Sequence, residues 1–488
     1  MVESAESAYS THFAGPEEEA LGIVFGNAGT YEFEFVVTGN VERNEYVQVQ
    51  HESYGWILGT VQEVKVRTDL SDEGAKRIAL GENVQFERTT IGSVRVFGYP
   101  DGKGGISSPG TPVSPGTQVF RATDEAISST LGLSFRKNGA YVGSLRGRDI
   151  HVMLDIDTMV QKHISVIAKT GGGKSYLAGV IIEELVKNGV TVLILDPHGE
   201  YGTLRESAPA GGAVFNYGKH VVEFAFDTEI NKGARELRLT CSNFTARELL
   251  SITSIGDSKA HLSILSSAIE EAKKEGGYGI DTLMKILEND ESQFSLQLIA
   301  ELKNLEEAHI FAPEGTKMTE IVNSGMATIL NMKGAVPEIQ CLFVRRILTA
   351  LFELRKRDRI PPLLAVLEEA HNFSPQQGKT DASRIIRTIA AEGRKFGLGM
   401  MVITQRAAKV DKNVLSQCNT QFILRITNPN DLKAVYTSIE GLTEELMEEV
   451  PRLATGVCIG IGAGLQVPIM LDVRRRETKH GGESVKVT

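Results

Sequence analysis

The chain has 488 residues, 41% of them apolar and 23% charged, with a formal net charge of −10. This is the composition of an ordinary globular protein with more core material than one compact unit uses, so two or three domains are expected. A disulfide framework or a zinc finger is excluded, because Cys241, Cys341, Cys418 and Cys458 lie far apart and form no C-x-x-C pair, as fits a reducing interior.

The start of the chain, MVESAE, has no apolar run of a secretory signal, and no apolar stretch approaches the ~20 residues of a membrane helix. The expectation is a cytoplasmic protein with no membrane partner. Half of the negative excess sits at one end: the first 30 residues hold five acids (Glu3, Glu6, Glu17, Glu18 and Glu19) and no Lys or Arg. The net charge therefore leaves nucleic acid open, because phosphate contacts are short-ranged in salt and need only a local set of cations.

From 20 to 135 the pattern is β. Residues 21–25, 31–37, 45–49, 56–58 and 61–66 are short alternating runs punctuated by Gly and Asn, which predicts a small barrel or sandwich. The turn-rich segment 106–117, ISSPGTPVSPGT, reads as a loop rimming that domain. From about 140 strands alternate with helices. Residues 163–168, 190–196, 363–367 and 399–404 are apolar strand runs, 174–188 is an amphipathic helix, and 384–395 is helical, so the sheet is parallel and helix-covered. Between its halves the apolar spacing at 245–254, 260–275, 281–288 and 296–307 is helical. The expected fold class is thus α/β: a β-barrel domain at 1–135, an α/β core at 136–231 and 331–460, a helical insertion at 232–330 and a tail at 461–488.

Residues 168–175 read AKTGGGKS, after a strand and opening a helix. Glycines there let backbone N–H groups close around phosphates, and the helix N-terminus favours an anion. Thr170, Gly171, Gly172, Gly173, Lys174, Ser175 and Tyr176 are the candidate nucleotide-binding residues. Lys174 would reach the β- and γ-phosphates of ATP, and Ser175 would hold Mg²⁺. Ala168 stands where the P-loop pattern has its first glycine, which is harmless at negative φ. The bland alternative is a glycine-rich turn that binds nothing.

Residues 363–369 read LLAVLEE, an apolar strand ending in two acids. In such a segment the first acid, here Glu368, supports the metal, and the second, Glu369, orients and deprotonates the attacking water. A pair of solvated acids is the alternative. Gln405 ends the next strand and is a candidate sensor of the γ-phosphate or the water; otherwise it is a turn residue. Arg394, just upstream, is a candidate arginine finger for a neighbouring subunit or a surface cation. His198 and His371 follow strand ends but lack further ligands at metal spacing, so a hydrogen-bonding or structural role is expected of both.

With these motifs, DPHGEY at 196–201, EEAHNF at 368–373, EGRKFG at 392–397, TQR at 404–406 and the tail RRR at 474–476 with HGG at 480–482 make the chain similar to the HerA family of the FtsK–HerA superfamily. The similarity covers nearly the whole chain. It implies a RecA-like P-loop core behind a HAS-type barrel, in a hexameric, archaeal-type DNA translocase or helicase that works with a NurA-type nuclease on broken DNA ends. It also implies Arg394 as the trans-acting finger, Gln405 as the sensor, and a stretch after 460 that braces a neighbouring subunit. Departures are Ala168 and Ala407, where a Pro is commoner.

The stretch 379–412 carries eight cations against Asp381, Glu392 and Asp411, net +5. Its first members, Lys379 and Arg384, follow the acid pair closely and are the candidate contacts to double-stranded DNA in a ring's channel. A solvated loop and helix face is the alternative. Two rival functions stand beside the DNA motor: a related ring ATPase that moves protein, and a nucleotide-gated scaffold for a nuclease.

Overall fold

The computed structural model describes residues 19–102, 105–133, 138–208, 215–256, 258–274, 278–290 and 292–481. The acids Glu3, Glu6, Glu17 and Glu18, and Gly482 of the tail motif, lie outside them. The chain forms two compact units, one of 1–137 with 144–153 and 464–469, the other of 138–143, 154–463 and 470–488.

In the first unit six antiparallel strands close on themselves. The order is Glu32–Val37, Gly22–Phe25, Gln118–Arg121, Tyr46–His51, Gly55–Thr68 and Arg88–Pro100, and the last pairs back with Glu32–Val37. Alternation explains the closure: Phe33, Phe35, Val47, Val49, Val61, Val94 and Val119 are buried together, while most of the residues between them are more exposed; Gln48 and Thr60 are buried too. The 106–117 segment contributes a two-residue strand, Ile106–Ser107, and the buried Val113. Two short helices, Asp72–Ala79 and Asp124–Leu131, interrupt the β pattern. Each starts at a hydroxyl cap, Ser71 accepting from the Gly74 N–H and Thr123 from the Ala126 N–H.

The second unit is built on a parallel sheet in the order Val221–Ala225, Ala327–Asn331, Thr191–Asp196, Leu363–Leu367, Leu398–Thr404, Ile164–Ile167 and Thr420–Ile423. It continues antiparallel into Val457–Ile461, with Ile469–Val473 beyond. Every residue of the strands 164–167, 191–196, 363–367 and 398–404 is buried, as a sheet covered on both faces requires. The helix Lys174–Lys187 follows the first of them. The long helix Pro337–Lys356 begins with Pro in its first turn and buries Ile339, Leu342, Phe343, Ile347, Leu351 and Phe352 at helical spacing.

The helices of the 232–330 region are Ala246–Ser251, Lys259–Lys274, Ile280–Leu287 and Gln293–Glu307. Their Leu249, Leu265, Leu283 and Leu298 join the same buried cluster as the sheet. The strand Ala327–Asn331, all but its last residue inside the range read as insertion, pairs with both neighbours in the sheet. Among the described residues no helix is long and apolar enough to cross a membrane.

Candidate nucleotide site

The parallel strands all end at one edge, which is where open α/β sheets bind ligands. Register pairs Ile167 with Thr404 and with Ile423, Leu195 with Leu367, and Leu367 with Val402. The strand 398–404 therefore lies between the P-loop strand and the acid strand. Its end brings Thr404 and Gln405 between the phosphate loop and the two acids.

Residues 168–173 form the turn into the helix Lys174–Lys187. Gly171 and Gly173 have φ of 70° and 94°, which only glycine adopts without strain, whereas Ala168 is absent from the positive-φ residues and is buried. Ala168 thus takes the place of a glycine without disturbing the loop. The 14-residue helix has no side-chain cap at Gly173 and no acid in its first turn. Its leading N–H groups remain for an anion, and the dipole favours one. This fits a phosphate.

Lys174 is buried (8% exposed), its Nζ 2.7 Å from Glu368 Oε1 and 3.1 Å from Glu369 Oε1. Burial disfavours the ammonium, but Glu368, Glu369 and Glu200 together raise its pKa above the usual range. Consecutive residues of an extended strand point to opposite faces, so two adjacent acids would ordinarily diverge. Glu369 has φ 48° and ψ 49°. This left-handed turn, costly for a residue with a Cβ, breaks the alternation and lets both carboxylates meet one lysine.

The two acids then sit in different surroundings. Glu368 is fully buried, and burial pushes it up to about 7 although Lys174 and the Tyr201 hydroxyl, which donates to Oε2 at 2.6 Å, work against this. Burial would raise Glu369 too, but His371 and Lys174 hold it down at about 2. His371 Nδ1 lies 3.3 Å from Glu369 Oε2 and 3.1 Å from Thr404 Oγ1, and the Gln405 N–H reaches the same Oε2 at 3.4 Å. The Gln405 side-chain oxygen accepts from the hydroxyl of the exposed Thr170. Gln405, Glu369 and the phosphate loop are therefore in direct contact.

The loop after the strand 191–196 completes the edge. Asp196, buried and with its carboxyl raised by that burial, accepts N–H bonds from His198, Gly199 and Tyr201 at 3.2, 2.8 and 3.0 Å. This fixes the turn that presents Tyr201 to Glu368 and Glu200 to Ser175, whose hydroxyl donates to the Glu200 carboxylate. Glu200, Tyr201 and Asp196 were not among the candidate site residues, whereas His371 has the hydrogen-bonding role expected of it. The signal was there in DPHGEY following a core strand. His198 itself is exposed.

Tyr176 faces the chain's own tail. Its hydroxyl accepts from the Arg476 N–H at 2.8 Å, and its ring stands edge-on to His480. Arg474 pairs with Glu183 and Glu184 of the P-loop helix, and Thr478 bonds Glu183. The described part of the tail, read as a brace for a neighbour, thus grips the helix of its own chain.

Arg394 is exposed in the turn Gly393–Phe396 that precedes the strand 398–404. That strand has seven residues, so at ~3.3 Å per residue Arg394 is about 20 Å from the P-loop edge of its own site. Lys379 and Arg384 are exposed and follow the acid pair. The loop carrying Lys379 is tied down: Gln376 donates its N–H to the Lys409 carbonyl and accepts from the Lys412 N–H, both at 2.8 Å. A cleft of about 650 Å³ opens beside it, lined by Gln376, Ala408, Lys412, Asn413, Lys433 and Thr437 among others, with no Asp or Glu in its wall.

Residues 140–351 match the family model described as the central domain of the helicase HerA. Over 96% of its length the chain is 27% identical to the DNA double-strand break repair helicase HerA of Pyrococcus furiosus, with 96% of that protein covered. The protein of the same description from Sulfolobus acidocaldarius gives the same identity and the same two coverages. Among solved structures, VirB4 of Thermoanaerobacter pseudethanolicus aligns with a TM-score of 0.50 at 18% identity, covering 70% of this chain and 97% of that one, a likeness of fold. The motif-based resemblance is borne out.

Proposed function

We propose, from this chain's similarity to the HerA helicases, that it is a ring-forming P-loop ATPase motor that hydrolyses ATP to move double-stranded DNA. One observation carries the reading: a buried lysine, two carboxylates in different surroundings and an amide converge at the uncapped N-terminus of a helix. Lys174 would hold the β- and γ-phosphates. Glu369, ionised and oriented by His371, would take the proton of the attacking water. Gln405 touches both Glu369 and Thr170 and would sense whether the γ-phosphate is present. Mg²⁺, when bound, neutralises phosphate charge and fixes the phosphates in line. The Ser175 hydroxyl, with Glu200 bonded to it and Glu368 as the first acid of the strand end, is the group that would hold it.

Arg394 lies too far from its own P-loop edge to act there, so the finger role requires a neighbouring subunit. This supports a ring, for which we take the hexamer of the family resemblance. The chain leaving Glu369 leads directly into the loop carrying Lys379, and Gln405 leads into the segment carrying Arg406, Lys409 and Lys412. The two are hydrogen-bonded to each other. Phosphate loss at Glu369 and Gln405 would therefore shift a linked pair of basic loops, which would carry the DNA backbone with Lys379 and Arg384. Because the two named relatives are double-strand break repair helicases, we place this motor in the processing of broken DNA ends, with a NurA-type nuclease as partner.

The test is displacement of streptavidin from biotinylated duplex DNA. Displacement should require hydrolysable ATP and vanish in Lys174→Ala, whose lost ammonium contacts only carboxylates and phosphates. Active ATP hydrolysis with no displacement on any duplex would favour the protein motor or the nuclease scaffold.

A further inference from the structure

Four carboxylates stand round the phosphate loop, and three are already engaged. Asp196 spends its oxygens on the N–H groups of its own turn. Glu369 is held by Lys174, His371 and the Gln405 N–H. Glu368 has no exposed surface; one oxygen accepts from Lys174 and the other from Tyr201. Even with Lys174 turned to the phosphates, Glu368 stays wholly enclosed and bonded to Tyr201, and turning to a hydrated ion would leave that buried hydroxyl unpaired.

Glu200 differs. It is partly exposed, and among the described residues its carboxylate bonds only to the Ser175 hydroxyl. Magnesium keeps most of its water and is held by one or two carboxylates together with substrate phosphates. A partly exposed carboxylate can accept from those waters. It can also keep accepting the Ser175 proton while the serine oxygen turns a lone pair to the ion. Its position is fixed in advance, because the turn that carries it hangs from Asp196.

We propose that Glu200, rather than Glu368, is the carboxylate that faces the nucleotide-bound magnesium beside Ser175. Glu368 is then a positioning residue, which keeps the Lys174 ammonium and the Tyr201 hydroxyl in place. This assignment rests on the ATPase reading above.

The test replaces magnesium with manganese and measures its affinity by electron paramagnetic resonance, with a non-hydrolysable ATP analogue bound, so that turnover plays no part. Nucleotide affinity is measured in parallel with the metal chelated. Glu200→Gln should weaken manganese binding ~10–100-fold, the usual cost of losing a group that orients a metal or its ligands, with metal-free nucleotide affinity unchanged. Glu200→Asp should recover part of the loss, and Glu368→Gln should cost manganese affinity less than Glu200→Gln does. Manganese affinity lost in Glu368→Gln and kept in Glu200→Gln would overturn the assignment, as would no change in either. Wild-type protein that binds no nucleotide under any condition would instead overturn the ATPase reading.

Discussion

Glu368 and Glu369 show how neighbouring residues of one type come to sit in different surroundings. Burial raises the first to about 7 against the pull of Lys174 and Tyr201, whereas His371 and Lys174 outweigh burial at the second and hold it down. The expected result for Glu369→Gln is retained Mg·ATP binding with turnover reduced by at least ~10²-fold, the usual contribution of a positioned base. Stopped-flow phosphate release measures this. Since Glu369 is held down at about 2, its carboxylate stays charged as the pH falls from 8 to 5, and any acid limb of the rate profile in that range belongs to another group. If Glu368→Gln proved the more damaging to turnover with binding intact, the two acids would be reversed. The P-loop and the acid pair were legible in the sequence because each is a local string with a local reason. The contacts that finish the site were not. Tyr201 with Glu368, Ser175 with Glu200 and His371 with Thr404 depend on strand order and on one left-handed residue, and no spacing encodes those.

At the scale of elements, the P-loop helix is held from both ends: by its phosphate turn and by the tail strapped along it. Gly179 shows how close that strap comes. A Cβ there would lie 2.5 Å from Arg476 Cζ and 2.7 and 2.8 Å from two of its nitrogens. Gly179→Ala should therefore push the guanidinium away from Thr478 and Glu183 and destabilise the fold by ~1–3 kcal/mol, the range of overpacking, even though alanine is the better helix former. Chemical denaturation reads this directly; an equal or higher midpoint would show that the strap yields at no cost. The sequence made most of the sheet readable, because buried parallel strands appear as unbroken apolar runs. The strand Ala327–Asn331 escaped because a five-residue run with only three apolar residues, next to helical text, carries no period of its own. The helices Asp72–Ala79 and Asp124–Leu131 were overridden in the reading by the surrounding alternation, although both have a hydroxyl cap followed by two acids.

For the whole molecule, the central claim is that subunits share sites around DNA. Arg394 is the residue that tests the sharing. Rings of Arg394→Ala alone should hydrolyse ATP poorly, and so should rings of Glu369→Gln. Mixed rings should regain part of the rate, because some interfaces then pair an intact base with an intact finger. No recovery in rings shown to be mixed would assign Arg394 a purely local role. A net charge of −10 conceals a basic segment, which emerges only when 379–412 is counted by itself and the fold ties the loop of Lys379 to Lys409 and Lys412. The most direct measurement is ATP turnover by the wild-type protein with and without duplex DNA at low and moderate salt. Turnover should rise on adding DNA of any sequence, and the concentration needed should climb steeply with salt, as phosphate contacts dictate. Turnover that is the same with and without DNA, on blunt, resected and closed ends alike, would contradict the account.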